Sequence, residues 1–162
     1  MGVDSGTSED QWYKKSPELY QMEIDAMKTV CPEAFHGFLD TGQMYWIVPY
    51  FSISNGQQKK WTLFLQYDSD FPHRGHSVRC YPIEPDYDEI KRTLFESAVI
   101  PKTIPHCIQD KKGMVYFSTE RAGDDGIITS ATSELRRAFQ WIYYFECGIQ
   151  DQNVWNQWRG IC

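Results

Sequence analysis

An α+β domain is what this sequence predicts, and three observations carry the prediction. Residues 16–31 pair a helix-start signal with apolar residues at helical spacing. Residues 44–81 hold consecutive extended segments separated by short turns. Residues 129–147 return to helical spacing with an apolar stripe. Strands joined by short turns make an antiparallel meander, and helices at the two ends of the chain are then expected to cover one face of it.

The first helix is signalled by Ser16-Pro17-Glu18. Serine can cap, and proline fits the first helical position because its missing N–H would be unpaired there anyway. Tyr20, Ile24, Met27 and Cys31 follow on one face, and Pro32 ends the run. Met44 to Phe51 is rich in aromatic and β-branched residues, and Ser54-Asn55-Gly56 is a turn signal. Trp61, Leu63, Leu65 and Tyr67 then alternate with Thr62, Phe64 and Gln66, Asp68-Ser69-Asp70 turns the chain, and His76 to Tyr81 reads as a third strand. Asp86 to Ala98, with Asp86 as cap and Ile90, Leu94 and Phe95 as its apolar residues, reads as a short helix. Met114 to Ser118 is a short strand and makes the expected fourth; Glu120 to Gly126 is a polar loop. Thr129-Ser130 caps a helix bearing Leu135, Ala138, Phe139, Ile142 and Phe145, stopped by Cys147-Gly148. Asp151 to Trp158 forms a last short helix presenting Val154, Trp155 and Trp158. Residues 1–15, small and acidic up to Asp10, are expected to be a flexible terminus, and residues 16–162 a single domain.

A chain of 162 residues is long enough for one full core, and aromatics at 15% with charged residues at 23% argue against disorder. The net charge of -6 and the scattering of the basic residues into separate pairs argue against nucleic acid or an anionic membrane as partner. Cys31, Cys80, Cys107, Cys147 and Cys162 are odd in number and form no zinc-ligand pattern. A reduced cytoplasmic protein without metal or cofactor is the expectation. His73 and His76 are read as a solvated turn, because no third metal ligand is evident. Asp124-Asp125-Gly126 lacks the ligand spacing of a calcium loop.

The stretch from Ile104 to Phe117 is the one with chemical content. Pro105-His106-Cys107 is followed by a polar turn ending in Gly113 and by a short apolar run. It resembles the active-site segment of ubiquitin-conjugating enzymes, in which a His-Pro-Asn motif precedes the catalytic cysteine by about ten residues and a glycine sits three before it. His106 and Gly113 fall in the family's places. Cys107 and Ile108 stand where the family has Pro and Asn, and Tyr116 stands where it has the cysteine. Phe71-Pro72 is similar to the family's Tyr-Pro pair, and Tyr81-Pro82-Ile83-Glu84-Pro85 to its proline-rich exit from the third strand. Most eukaryotic members lack a helix where residues 86–98 place one. The resemblance spans roughly residues 16 to 158 and implies the family's α+β fold: a four-stranded antiparallel meander with an N-terminal helix and C-terminal helices.

It also implies a chemistry: a thiolate that accepts an acyl group as a thioester and passes it to an amine. Cys107 is the candidate nucleophile, with Lys102, Lys111 and Lys112 nearby to favour its thiolate; its alternative is a small hydrophobe packed under the loop. His106 either braces the loop, as the family's histidine does, or is an acid/base partner of Cys107. Pro105, Gly113 and Tyr116 are candidate supporting residues. Ile108 cannot donate a hydrogen bond, so the family's oxyanion donor has to come from elsewhere, Gln109 or Asn153 being candidates. If the loop folds back on the strand that carries Tyr116, Cys107 can approach the family's reactive surface from the other side. The divergent loop and the extra helix look prokaryotic. For such proteins the resemblance implies an anti-phage operon, with a nucleotidyltransferase C-terminus or a ubiquitin-like protein as partner and an activating enzyme as a further one. Two other readings stand beside this: an inactive variant with Tyr116 in the cysteine place, acting as a binding module, and a plain α+β domain whose loop is only structural.

Overall fold

The computed structural model describes residues 10–54, 56–73, 77–118 and 130–160. Two helices come first, α1 (Trp12–Lys15) and α2 (Pro17–Val30). Ser16 caps α2, its hydroxyl accepting from Leu19 N at 3.3 Å, with Pro17 at the first position. The expectation of a flexible terminus through residue 15 does not hold for its last residues. Trp12 is buried among Tyr67, Phe71 and Tyr20, so the packed domain begins before Ser16. A single indole supplied that anchoring, and one aromatic residue leaves no periodic trace in a sequence.

The main sheet is an antiparallel meander in the order β1 (Phe35–Phe38), β2 (Met44–Ser54), β3 (Gln57–Tyr67) and β4 (Val78–Glu84). Its register pairs Trp46 with Leu65 and Leu65 with Cys80, so alternate residues share a face. Met44, Trp46, Val48, Trp61, Leu63, Leu65, Tyr67, Val78 and Cys80 form the buried face. Two helices cover it: α2, through Ile24 and Met27, and α4 (Ala131–Gly148), through Leu135, Ala138, Trp141, Ile142 and Phe145. Polar contacts fix them on the same side. Tyr67 Oη donates to Glu23 Oε1 at 2.8 Å, the same oxygen accepts from Ala131 N at 3.0 Å, and Trp61 Nε1 donates to Glu146 Oε2 at 3.0 Å.

Four strands were expected and four are present, but they are not the same four. β1, unforeseen, borrows its order from β2: Phe35-His36-Gly37-Phe38 is too short and glycine-broken to signal a strand alone. The expected strand at 114–118 is not in this sheet. Val115–Phe117 is β6, paired in a separate hairpin with β5 (Cys107–Gln109), which had been read as loop. Between β4 and β5 comes α3 (Tyr87–Glu96), started by a reciprocal capping box of Asp86 and Glu89. After α4 comes α5 (Gln152–Arg159), capped by Asp151. α4 ends at Gly148, as expected; a Cβ there would lie 3.0 Å from the Trp155 ring, so the glycine also lets α5 pack close. No helix among the described residues is long and apolar enough to cross a membrane. The expected frayed start up to residue 9, the turn at Asn55, the start of the third strand at His76, the loop at 120–126 with Asp124-Asp125-Gly126, Thr129 and Cys162 lie outside the described residues.

Candidate active site at the Cys107 hairpin

Residues 99–105 are neither helix nor strand, so their backbone groups need partners from elsewhere in the chain. The C-terminal helices supply them. Trp155 Nε1 donates to Pro101 O at 3.1 Å, and Trp141 Nε1 donates to Pro105 O at 3.2 Å and His106 O at 3.0 Å. Gln152 accepts from Ile100 N at 3.0 Å and donates to Ile100 O at 2.6 Å. Trp141 and Trp155 are almost fully buried, which shields these bonds from water.

His106 is the brace at the end of this segment. Its Nε2 lies 2.6 Å from Trp158 O. A carbonyl only accepts, so that nitrogen carries the proton. The backbone is in the left-handed region at φ 57, uncommon for a residue with a Cβ, and is held there by Trp141 and by Ser118 N donating to His106 O. Trp158 also packs against the imidazole. With Nε2 committed to a backbone carbonyl, the bracing role is the one this geometry serves.

β5 and β6 then form a two-stranded ribbon with Cys107 opposite Phe117, Ile108 opposite Tyr116 and Gln109 opposite Val115. Residues directly opposite share a face and successive residues alternate. Cys107, Gln109, Val115 and Phe117 are therefore on one face, and Ile108 and Tyr116 on the other. Cys107 and the residue at the family's cysteine place point in opposite directions, so the expected approach of Cys107 to the Tyr116 surface does not occur.

The Tyr116 face is closed around Tyr116, while Ile108 on the same face is exposed. Tyr116 is buried, its ring edge-on to Tyr81 at 5.7 Å with the Arg79 guanidinium 5.8 Å from its centroid. Arg79 is held in turn by both Asp68 carboxylate oxygens, at 2.9 and 2.8 Å. Tyr81 Oη donates to Asp110 Oδ2 at 2.9 Å, and burial pushes the Tyr81 phenol up to about 12. The other Asp110 oxygen accepts from Lys112 N and Met114 N, closing a turn in which Gly113 takes φ 89. These acceptor bonds and nearby Arg79 hold the Asp110 carboxyl below its ordinary value, although its partial burial acts the other way.

On the Cys107 face Phe117 is buried against Trp141, at 4.5 Å between ring centroids, and the Cys107 end is open. Cys107 is half-buried beside a pocket of about 500 Å³ lined by Tyr87, Asp88 and Lys91 of α3 and by Ile104, Gln109, Gly113 and Val115. Its thiol donates to Ile104 O at 3.7 Å. Burial raises the thiol above its ordinary value, and the nearby Tyr87 hydroxyl opposes that shift. The expected lysine effect is not carried by Lys102: its Nζ donates to Leu94 O at 3.2 Å and to Ser97 O, so its charge sits at the carbonyl end of α3. Lys111 and Lys112 are exposed in the turn. Of the two candidate replacement donors, Gln109 lines the pocket and Asn153 is exposed on α5. Pro105 supports the segment through its carbonyl, and no cluster of metal-ligating residues occurs among the described residues.

Tyr87 and Trp141 are the residues that sequence reasoning missed. Tyr87 looked like an ordinary first-turn residue after the Asp86 cap, and nothing in the sequence tied it to Cys107. Trp141 had a signal, since it falls at i+3 from Ala138, but was passed over for the neighbouring Ile142. The chain matches no protein-family model, no curated protein and no solved structure.

Proposed function

We propose that this protein is a ubiquitin-conjugating-like transferase that takes an acyl group onto Cys107 as a thioester and passes it to an amine. The observation that carries the reading is the position of Cys107: half-buried, at the end of a braced segment, opening on a pocket of about 500 Å³ that Tyr87 also lines. Cys31 and Cys80 are buried in the core and cannot serve. The order of helix, antiparallel sheet, braced histidine segment and C-terminal helices resembles that expected of the ubiquitin-conjugating fold, and this supports the same reading. The donor is then a ubiquitin-like protein or a nucleotidyltransferase C-terminus, delivered by an activating enzyme in the reducing cytoplasm of a bacterium carrying an anti-phage system. The test is incubation with donor, activating enzyme and ATP, followed by a non-reducing gel. A thiol-sensitive adduct should form, disappear in Cys107→Ala and persist in Tyr116→Phe. An adduct that survives Cys107→Ala would show that another group is the nucleophile.

A second reading is favoured by the outer face of the sheet. Phe35, Phe51 and Ile53 are exposed there, on the side that α2 and α4 do not cover, and burial of the Cys107 thiol disfavours its thiolate. An inactive variant with Tyr116 in the cysteine place would use such a face to bind a ubiquitin-like partner non-covalently. Absence of any adduct, with binding that Phe51→Asp abolishes, would establish this reading instead.

A further inference from the structure

We propose that the corner between α1, α2 and the β1–β2 turn is a binding site for a quaternary alkylammonium group such as the head of choline. The site shares no lining residue with the Cys107 pocket, and it stands or falls apart from the transferase reading. His36 and Phe38 of β1 lie opposite Trp46 and Met44, on the helix-covered face of the sheet. β1 is an edge strand, and a concave pocket of about 530 Å³ remains there, lined by Tyr13, Tyr20, Phe38 and Leu39 with the exposed Lys14 and Asp40 at its rim. Four rings make a closed circuit of contacts at this corner. Tyr13 and Tyr20 are 6.1 Å apart between centroids, Tyr20 and His36 6.0 Å, His36 and Phe38 5.9 Å, and Phe38 and Tyr13 4.8 Å. Neighbouring planes are inclined by 47°, 74°, 89° and 44°, so the rings form walls rather than a stack.

The polar atoms of these rings are already engaged. Tyr13 Oη donates to Gly42 O at 2.6 Å, and Tyr20 Oη and His36 Nε2 share a hydrogen bond at 3.1 Å. The first of these bonds ties α1 to the turn, where Gly42 takes φ 93 and its N donates to Leu39 O at 2.8 Å. The walls therefore offer aromatic surface more than free acceptors. A primary ammonium or a guanidinium brings N–H donors that need acceptors; a quaternary ammonium brings none, and is drawn to ring faces by their quadrupole. Asp40 adds the one carboxylate among the lining residues. Lys14 is the opposing charge, on a flexible stem that can turn to solvent. Burial and nearby Lys28 hold the His36 imidazole below its ordinary value, so at neutral pH it is uncharged and does not repel a cation. The Asp40 carboxylate also favours choline over a betaine, whose own carboxylate it repels.

The test is isothermal titration calorimetry of the whole chain with choline chloride, glycine betaine and dimethylbutanol, the neutral carbon isostere of choline. Choline should bind saturably, and the other two about tenfold more weakly. Phe38 is 46% exposed, so Phe38→Ala leaves the core intact; it should weaken choline about fivefold, whereas Phe38→Tyr, which keeps the ring face, should not. Asp40→Asn, an exposed change in the turn, should weaken choline about threefold and narrow its advantage over betaine. Absence of saturable choline binding overturns the proposal. So does dimethylbutanol binding as tightly as choline, which would make the pocket merely apolar, and so does choline binding that neither Phe38→Ala nor Asp40→Asn weakens, which would put the cation elsewhere. Phosphatidylcholine vesicles distinguish the source: co-sedimentation that Phe38→Ala abolishes would assign the same site to a lipid head, and binding of free choline alone assigns it to a soluble molecule.

Discussion

The two faces of the β5–β6 ribbon carry the same kind of residues to opposite ends. On one, Tyr116 is sealed under Tyr81 and Arg79, with Asp68 and Asp110 neutralising that network from either side. On the other, Cys107 and Tyr87 line an open pocket. Both faces set a phenol near an ionisable group. The difference is what lies beside them: β4 packs against Tyr116, whereas α4 covers Phe117 through Trp141 and leaves a pocket between α3 and Cys107. Position in a motif therefore does not settle where chemistry can occur; a one-residue step along a strand exchanges a sealed side for an open one.

The strongest way to break this contrast is to remove what holds both faces. Trp141→Ala deletes a fully buried indole and two hydrogen bonds to the Pro105 and His106 carbonyls, and should cost about 3–5 kcal/mol. A urea midpoint equal to the parent's would show that the segment is held by other means. Phe139→Ala should cost less, because Phe139 is only half-buried and stacks on Tyr50 at the margin of the core. An equal loss for the two variants would show that the indole bonds add nothing.

A finer cut separates the faces. Tyr81→Phe removes the bond to Asp110 on the closed side and should cost about 1 kcal/mol while leaving the pH profile of Cys107 alkylation where it was. A shifted profile would mean that the ribbon does not isolate its two sides. The pH limits of the faces should also oppose each other. Asp110 titrates below its ordinary value in the folded chain, so its contribution is present above about pH 4 and is lost as pH falls through the folded value. Cys107 titrates above its ordinary value, so its contribution is present below about pH 8.5 and is lost as pH rises through the folded value. Urea midpoints against pH should show Asp110→Asn flattening the acid limb alone and Cys107→Ala the alkaline limb alone. The smallest effect is expected for Ile108→Asn, which places an amide on the Tyr116 face. Cys107 alkylation should be unchanged; a several-fold gain would put Ile108 and Cys107 on one side and dissolve the contrast.

Much of the fold was legible because its signals are local. Ser16-Pro17 and Ser130 mark helix starts through bonds made within one turn, and the Trp61–Tyr67 alternation needs only the two-residue period of a strand. Cys107 and His106 were legible as candidates through the spacing to Gly113. The site itself was not. Whether Cys107 faces the Tyr116 side depends on the pairing register of β5 with β6, and neither β5 nor its register has a local signal in three residues. Lys102 looked like a neighbour of Cys107 at five positions' distance, yet its charge is spent on the last carbonyls of α3, a choice made by helix position and not by sequence separation.

By itself the sequence determined the class of the domain, its helix ends, the buried face of β3 and the one loop with chemical content, because capping, turns and alternation are settled among residues a few positions apart. Tertiary structure alone decided that Trp12 belongs to the core, that the Trp141 and Trp155 indoles hold backbone carbonyls of the 99–106 segment while Trp158 O accepts from the His106 ring, and that Cys107 and Tyr87 line one pocket. Those outcomes join groups twenty to more than fifty positions apart. They follow from burying carbonyls that distant indoles reach, a demand that exists only once the chain has closed on itself.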